Sequence, residues 1–411
     1  MHLPFSIEKI LAITTISIAF AICIIGGISV SITNHNRVIL GVQSEGQSLA
    51  GMSETEARQF FLAKARTKMK KTALIVTNGP QHWDIQAADI DLTPSVEQAV
   101  REAYDTGRNG SPLTNTLTQM RIALFGKDVR LTATYSDDKL RSKLSAITAS
   151  LARAPKNASL TLSPKGNIEH HMALTGRQAD TSALYDTVAP KLSALALTVR
   201  TEIPVEETEP VITDDALASI DGVLASYHTQ YTPGNRGHNI TLAAGKLNGT
   251  LVKPNDIFSF NDTVGLRTAA AGYKVAGVIL DGQLADGIGG GVCQVSSTLY
   301  NAILLAGLTP TARTSHALPS AYCPPGLDAT VADGQIDLQF RNQLAHSVYL
   351  LTNADGHTLT VYILGTRADL GGKTIRLEST GSRLHPSVYR LYLAGGQVIE
   401  REFLHTDSYA S

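Results

Sequence analysis

The hydrophobic pattern divides the chain into three regimes. From Ile10 to Ile32 an apolar run of about 23 positions carries no charged residue, long enough for a bilayer-crossing helix. Between about Val38 and Pro210, helical spacing alternates with short β-type runs. Ser53-Glu54-Thr55-Glu56 forms a capping box that opens a helix to about Lys68. The runs TALIVT and HWDIQAADI follow as strands about the turn Asn78-Gly79-Pro80, then a helix from about Pro94 to Tyr104. The order recurs as a helix over Asp137–Ala152, strands SLTLS and IEHHMAL about Pro164-Lys165-Gly166, and a helix over Thr181–Leu195. An offset of about 85 residues between the two sets predicts an internal duplication.

Glu202, Glu206, Glu207 and Glu209, interleaved with Pro204 and Pro210, read as a solvated linker and mark a domain boundary. Beyond it the spacing predicts a helix from Asp214, as N-cap, to about Tyr227. NITLAAGKLNGTLVKPNDIFSFN then gives a helix, a turn at Lys253-Pro254-Asn255-Asp256 and a strand. After Cys293, the residues Val295, Leu299, Ile303 and Ala306 share one helical face, and Gly307 is placed to cap that helix. The remainder alternates as strands: Ile336, Leu338 and Phe340, then SVYLLT and TLTVYILG, then a last hairpin RLYLAGGQVIEREF with Gly395-Gly396 at its tip. The four expected segments are therefore 1–37, 38–210, 211–370 and a β extension over 371–411. The expected class is α+β: an N-terminal transmembrane helix, a duplicated helix–strand–strand–helix region, and an α+β domain with a mostly antiparallel sheet.

A net charge of −1 with only 17% charged residues gives nucleic acid no electrostatic footprint, and no nucleic-acid partner is expected. The apolar run has two readings, a cleaved signal peptide ending near Ala19-Phe20-Ala21 or an uncleaved signal anchor. Its continuation through Ile24, Ile25 and Ile28 favours the anchor, which makes the cytoplasmic membrane a partner. The expected location is then the cell membrane, single-pass, with the body outside the cytoplasm, although Lys9 and Arg37 on either side barely decide the orientation. Three cysteines, Cys23, Cys293 and Cys323, are too few for a disulfide scaffold, though the last two are able to pair in an oxidising exterior. His170-His171, adjacent on a strand, point to opposite faces and cannot chelate together. No metal or cofactor is expected.

The candidate chemistry lies between Asp281 and Ala329. Gly289-Gly290-Gly291 lead into Cys293 at the start of a predicted helix. Amides left free at a helix N-terminus favour negative charge, which lowers a thiol pKa and populates the thiolate. Backbone around Gly290 and Gly291 is open enough to hold an oxyanion. His316, in a Pro-flanked loop, is the nearest base. Asp328, Asp333 and Asp337 are candidates to orient it, Asp328 being preferred, and Arg313 and Tyr322 are candidate substrate contacts. The competing reading makes Cys293 a small buried hydrophobe in a tight turn.

GGGVCQVSSTLYNAILLAGL, SHALPSAYCPPGLDATVADGQIDLQFRN and FSFNDTVGLRTAAAGYKVAGVI closely resemble the VanW domain, over roughly Asn239 to Gly365. The segment before it resembles the peptidoglycan-binding module that often precedes such domains. The resemblance implies an extracytoplasmic cell-wall protein whose partner is the peptidoglycan stem peptide. It also implies L,D-transpeptidase chemistry with Cys293 as nucleophile and His316 as the histidine of the H-x-L-P motif. The alternative it allows is a non-catalytic peptidoglycan-binding or glycopeptide-resistance accessory protein. Two positions depart from the family pattern. Cys323 stands where an aliphatic residue is expected and Leu327 where a basic one is, which removes any contact that a basic residue makes there.

Overall fold

The computed structural model describes residues 11–18, 35–70, 74–196, 200–280 and 283–410. The membrane-spanning helix expected over Ile10–Ile32 is not supported: among the described residues, no helix is long and apolar enough to cross a membrane. Residues 11–18 of that run are helical, while Cys23 and the rest of the run lie outside the described residues. The rest of the expected class is what the chain shows, α+β with mostly antiparallel sheets.

The chain divides into two compact units, Met1–Ala154 with Arg177–Thr208, and Pro155–Gly176 with Glu209–Ser411. In the first, Glu54–Met69 forms a helix closed by the Ser53–Glu56 capping box. Phe61 of that helix is buried with Val76, Leu140 and Leu184 in a single core. Leu74–Asn78 pairs antiparallel with Gln81–Ile85 and, through Ile75 to Thr77, parallel with Arg200–Glu202. The recurrent element order is present locally, as helix Asp137–Leu151, hairpin Ser159–Leu162 with Ile168–His171, and helix Thr181–Ser193. Its hairpin, however, belongs to the second unit, where Leu160 is buried with Leu217, Ile220 and Tyr349. The Glu- and Pro-rich segment read as a linker carries the strands Arg200–Glu202 and Val205–Thr208.

The second unit is built about a four-stranded antiparallel sheet in the order Gly222–Gln230, Thr358–Gly365, Val348–Ala354, Thr250–Val252. The helix expected over Asp214–Tyr227 is confined to Asp214–Leu217 and is capped by Thr213, not by Asp214. Residues from Gly222 onward instead form a strand paired with Thr358–Gly365, because pairing in the sheet overrides a weak local helical preference. Two helices, Asn235–Leu247 and Val292–Leu305, share the core with this sheet. The Val292–Leu305 helix is buried on all sides rather than along one apolar face. Val295, Leu299 and Ile303 are fully buried, and so are the polar side chains of Ser296, Ser297, Thr298 and Asn301. Such polar groups are tolerated inside a core only when hydrogen bonded, and their bonds assemble the site. Val275–Leu280 with Gln283–Ile288 forms a hairpin that enters the glycine run, and Thr374–Thr406 closes the unit with a three-stranded antiparallel sheet.

Candidate active site

The glycine run makes the turn that starts the central helix. Gly289 and Gly291 have φ of 86° and 106°, the left-handed region that L side chains avoid. Gly290 is required for a different reason: a Cβ there would lie 2.5 Å from the Gly277 carbonyl oxygen. Asn239, buried on the Asn235–Leu247 helix, fixes the turn by donating from Nδ2 to the carbonyls of Gly290 (3.0 Å) and Lys274 (2.9 Å). The Val292 and Gln294 amides donate to the Gly289 and Gly291 carbonyls. The intervening Cys293 amide lies in the first turn of the helix, where backbone donors lack an intrahelical acceptor.

A polar face of the helix holds the segment that carries Asp328. Ser296 Oγ donates to the Ala329 carbonyl (2.6 Å), Ser297 Oγ accepts from the Ala329 amide (2.9 Å), and Asn301 Nδ2 donates to the Leu327 carbonyl (2.7 Å). Cys293, Ser297 and Asn301 are four residues apart and therefore stack on one face, so the thiol and the groups that seat the loop share one rigid element. Asp328 is buried, and its Oδ2 accepts from His316 Nδ1 at 2.5 Å and from the His316 amide at 2.7 Å. Holding Nδ1 on the carboxylate leaves Nε2 for the Cys293 thiol, with which the imidazole is hydrogen bonded. The Cys293 thiol also reaches the Val331 carbonyl at 3.5 Å.

Burial works against the thiolate, but the His316 hydrogen bond and charge outweigh it and lower the Cys293 pKa. Burial likewise disfavours the imidazolium, yet Asp328 and the thiolate raise His316 to about 9. Asp328 stays low against its burial because His316 and Tyr409 donate to it. The arrangement thus shifts the pair toward thiolate and imidazolium. Cys323 is the opposite case. Burial pushes its thiol up to about 12, its neighbour is Ser320 Oγ at 3.1 Å, and both cysteines are free.

Cys293, His316 and Tyr322 line one cavity of about 450 Å³, together with Gly290, Gly291, Arg236 and Thr330. Tyr322 donates from its hydroxyl to the Cys293 carbonyl at 3.3 Å. Arg313 lies elsewhere. Its guanidinium is buried, grips Asp407 at 2.6 and 2.7 Å and donates to the Asp328 carbonyl at 2.8 Å, so it supports the loop and not the cavity wall. Asp337 is spent on Ser259 Oγ and the Asn261 amide, and Asp333 pairs with Arg267. Among the described residues no group of three or more His, Cys, Asp or Glu side chains is arranged to hold a metal ion.

Three contributors escaped the sequence reading. Tyr409 donates to Asp328 Oδ1 and accepts from the Gly326 amide (2.8 Å), and Asp407 neutralises Arg313. Both come from the C-terminal segment, 81 to 94 residues from their partners, and no spacing signal announces them. Asn239 has only the place of a residue in a predicted helix, with no sign that it would fix the glycine turn.

An α+β domain with a histidine-supported thiol at a helix N-terminus is the class that fold and site define. Residues 235–364 match the family described as "VanW like protein", and residues 83–199 the family described as "Putative peptidoglycan binding domain". The chain thus carries a VanW-like domain over residues 235–364 and a peptidoglycan-binding-like domain over residues 83–199. The "Uncharacterized protein YoaR" of Bacillus subtilis (strain 168) is 41% identical over 163 residues, 39% of this chain and 54% of that protein. The "Vancomycin B-type resistance protein VanW" of Enterococcus faecalis (strain ATCC 700802 / V583) is 29% identical over 187 residues, 42% of this chain and 68% of that protein. The chain thus spans about half the length of the first of these relatives. No solved structure matches the chain.

Proposed function

We propose that this is a cell-wall protein that binds peptidoglycan and acts on its stem peptides as a cysteine L,D-transpeptidase, outside the cytoplasm. One observation carries the reading: a half-buried thiol at a helix N-terminus opens on a 450 Å³ cavity and is backed by an imidazole that a buried carboxylate holds at 2.5 Å. A packing cysteine needs neither a cavity nor a supported base, as Cys323 illustrates. A purely adhesive role leaves the His316–Asp328 pair without a purpose. The two family matches support a target in the wall.

In the first half-reaction the Cys293 thiolate attacks the carbonyl carbon of a stem-peptide amide. A C–S bond forms, and the Cys293 amide receives the oxyanion. The C–N bond then breaks as His316 Nε2–H gives its proton to the leaving amine, which leaves a thioester. In the second half-reaction an acceptor amine attacks the thioester and loses its proton to His316. The C–S bond breaks, the thiolate and imidazolium are restored, and a new amide joins two stems. Asp328 holds the imidazole through both steps.

The test is incubation of the full chain with purified muropeptides bearing tetrapeptide stems, followed by chromatography and mass spectrometry. Released D-alanine and cross-linked dimers are expected from the wild type and neither from Cys293→Ala. Bound but chemically unchanged muropeptides would favour the binding role.

A further inference from the structure

One charge in the cavity is left over. With the thiolate matched by His316 and Arg267 matched by Asp333, Arg236 alone has no acidic partner among the described residues. Its position is built in. Arg236 lies in the first turn of the Asn235–Leu247 helix, and its stem lies against the glycine turn, so that a Cβ at Gly291 would meet Arg236 Cγ at 2.9 Å. A glycine is therefore needed where this arginine passes on its way to the cavity. Thr330 lines the same cavity and has a buried hydroxyl with no hydrogen-bond partner among the described residues. A half-buried guanidinium with no counter-ion is costly unless a ligand supplies one. Burial does lower the Arg236 pKa, while the nearby Tyr322 and Cys293 charges oppose that shift.

We propose that Arg236, with Thr330 as a second donor, binds a free carboxylate of the substrate on the leaving side of the scissile amide. This assignment rests on the transpeptidase reading for its substrate, but the anion site does not depend on it. A guanidinium adjoining the turn before Cys293 reaches carboxylates close to the attacked carbonyl, and the leaving amino acid of a short stem carries one. A donor with one more residue moves that carboxylate out of reach. The site therefore selects stems that end one residue past the attacked carbonyl.

The experiment uses the full chain and two alkylating probes of similar size, anionic iodoacetate and neutral iodoacetamide, with modification of Cys293 followed by peptide mass mapping. The iodoacetate/iodoacetamide rate ratio should fall about tenfold in Arg236→Gln, be largely retained in Arg236→Lys, and decline with added salt. An unchanged ratio in Arg236→Gln overturns the anion site. A parallel arm compares acylation by a tetrapeptide stem with a free terminal carboxylate and by the same stem as its amide. Preference for the acid, lost in Arg236→Gln while the amide rate is kept, supports the leaving-side assignment. Equal acylation by acid and amide in the wild type overturns it. If neither peptide acylates a wild type whose probe ratio is Arg236-dependent, the anion site stands and the transpeptidase reading falls.

Discussion

Replacing Asp328 by Asn removes a charge from the site with almost no change of volume. In the native protein, raising His316 from 6.5 to about 9 amounts to about 3 kcal/mol in favour of the imidazolium. That is a net figure, because burial of the imidazole opposes it, and it is shared between Asp328 and the Cys293 thiolate. Asp328 contributes the hydrogen bond at 2.5 Å and holds the same residue's amide at 2.7 Å. An asparagine oxygen can still accept these two bonds, but it brings no negative charge. Its NH2 would also face the Arg313 guanidinium, which is 3.4 Å from Oδ1. Assigning Asp328 rather more than half of the net effect gives about 2 kcal/mol, or roughly a thirtyfold shift away from thiolate–imidazolium. The assay is the pH dependence of iodoacetamide alkylation at Cys293. The midpoint should rise by about one to one and a half pH units in Asp328→Asn, with circular dichroism unchanged. A folded variant with the wild-type midpoint would refute the claim that Asp328 polarises the pair.

Further expectations follow from the same geometry. Acylation, which needs protonated His316 to expel the amine, should decline as pH passes about 9, while plain alkylation does not. Because the folded pKa of His316 lies above its unfolded value, its stabilising contribution is complete below about pH 6.5 and is lost as pH rises through about 9, which a melting-temperature profile will read. Gly290→Ala should cost at least about 2 kcal/mol and abolish alkylation selectivity, because its Cβ meets backbone oxygens of Gly277 and Ala276 at 2.5 and 2.7 Å; denaturant titration checks this. Tyr409→Phe strands the Gly326 amide and removes a donor to Asp328, so it should destabilise by about 1–3 kcal/mol and raise the alkylation midpoint.

The elements most legible in the sequence were those with local causes. The Ser53–Glu56 box starts its helix where the pattern says, and the glycine run does precede a helix that begins at Val292. His316 and Asp328 were found together because they lie in one motif, and the loop between them is short enough to bring both to one place. Arg313 shared that motif, yet the structure turns it inward, since its partner Asp407 arrives from the far end of the chain. Residues from Gly222 looked helical in isolation and became a strand because Thr358–Gly365 offers a ladder. The hairpin Ser159–His171 matched a repeat by order alone, whereas burial of Leu160 beside Tyr349 decides where it packs. Arg236 carried no signal at all. Its meaning is the absence of an acidic partner among the described residues, and partners are a property of the folded chain.

The central claim is that Cys293 forms a covalent acyl-enzyme, and intact-protein mass spectrometry tests it most directly. The full chain is mixed with a tetrapeptide-stem muropeptide and quenched in acid before an acceptor is added. A mass increase equal to the muropeptide less its terminal D-alanine is expected in the wild type and in Cys323→Ser, and none in Cys293→Ala. Absence of the adduct from the wild type, or its persistence in Cys293→Ala, would show that Cys293 does not carry the acyl group.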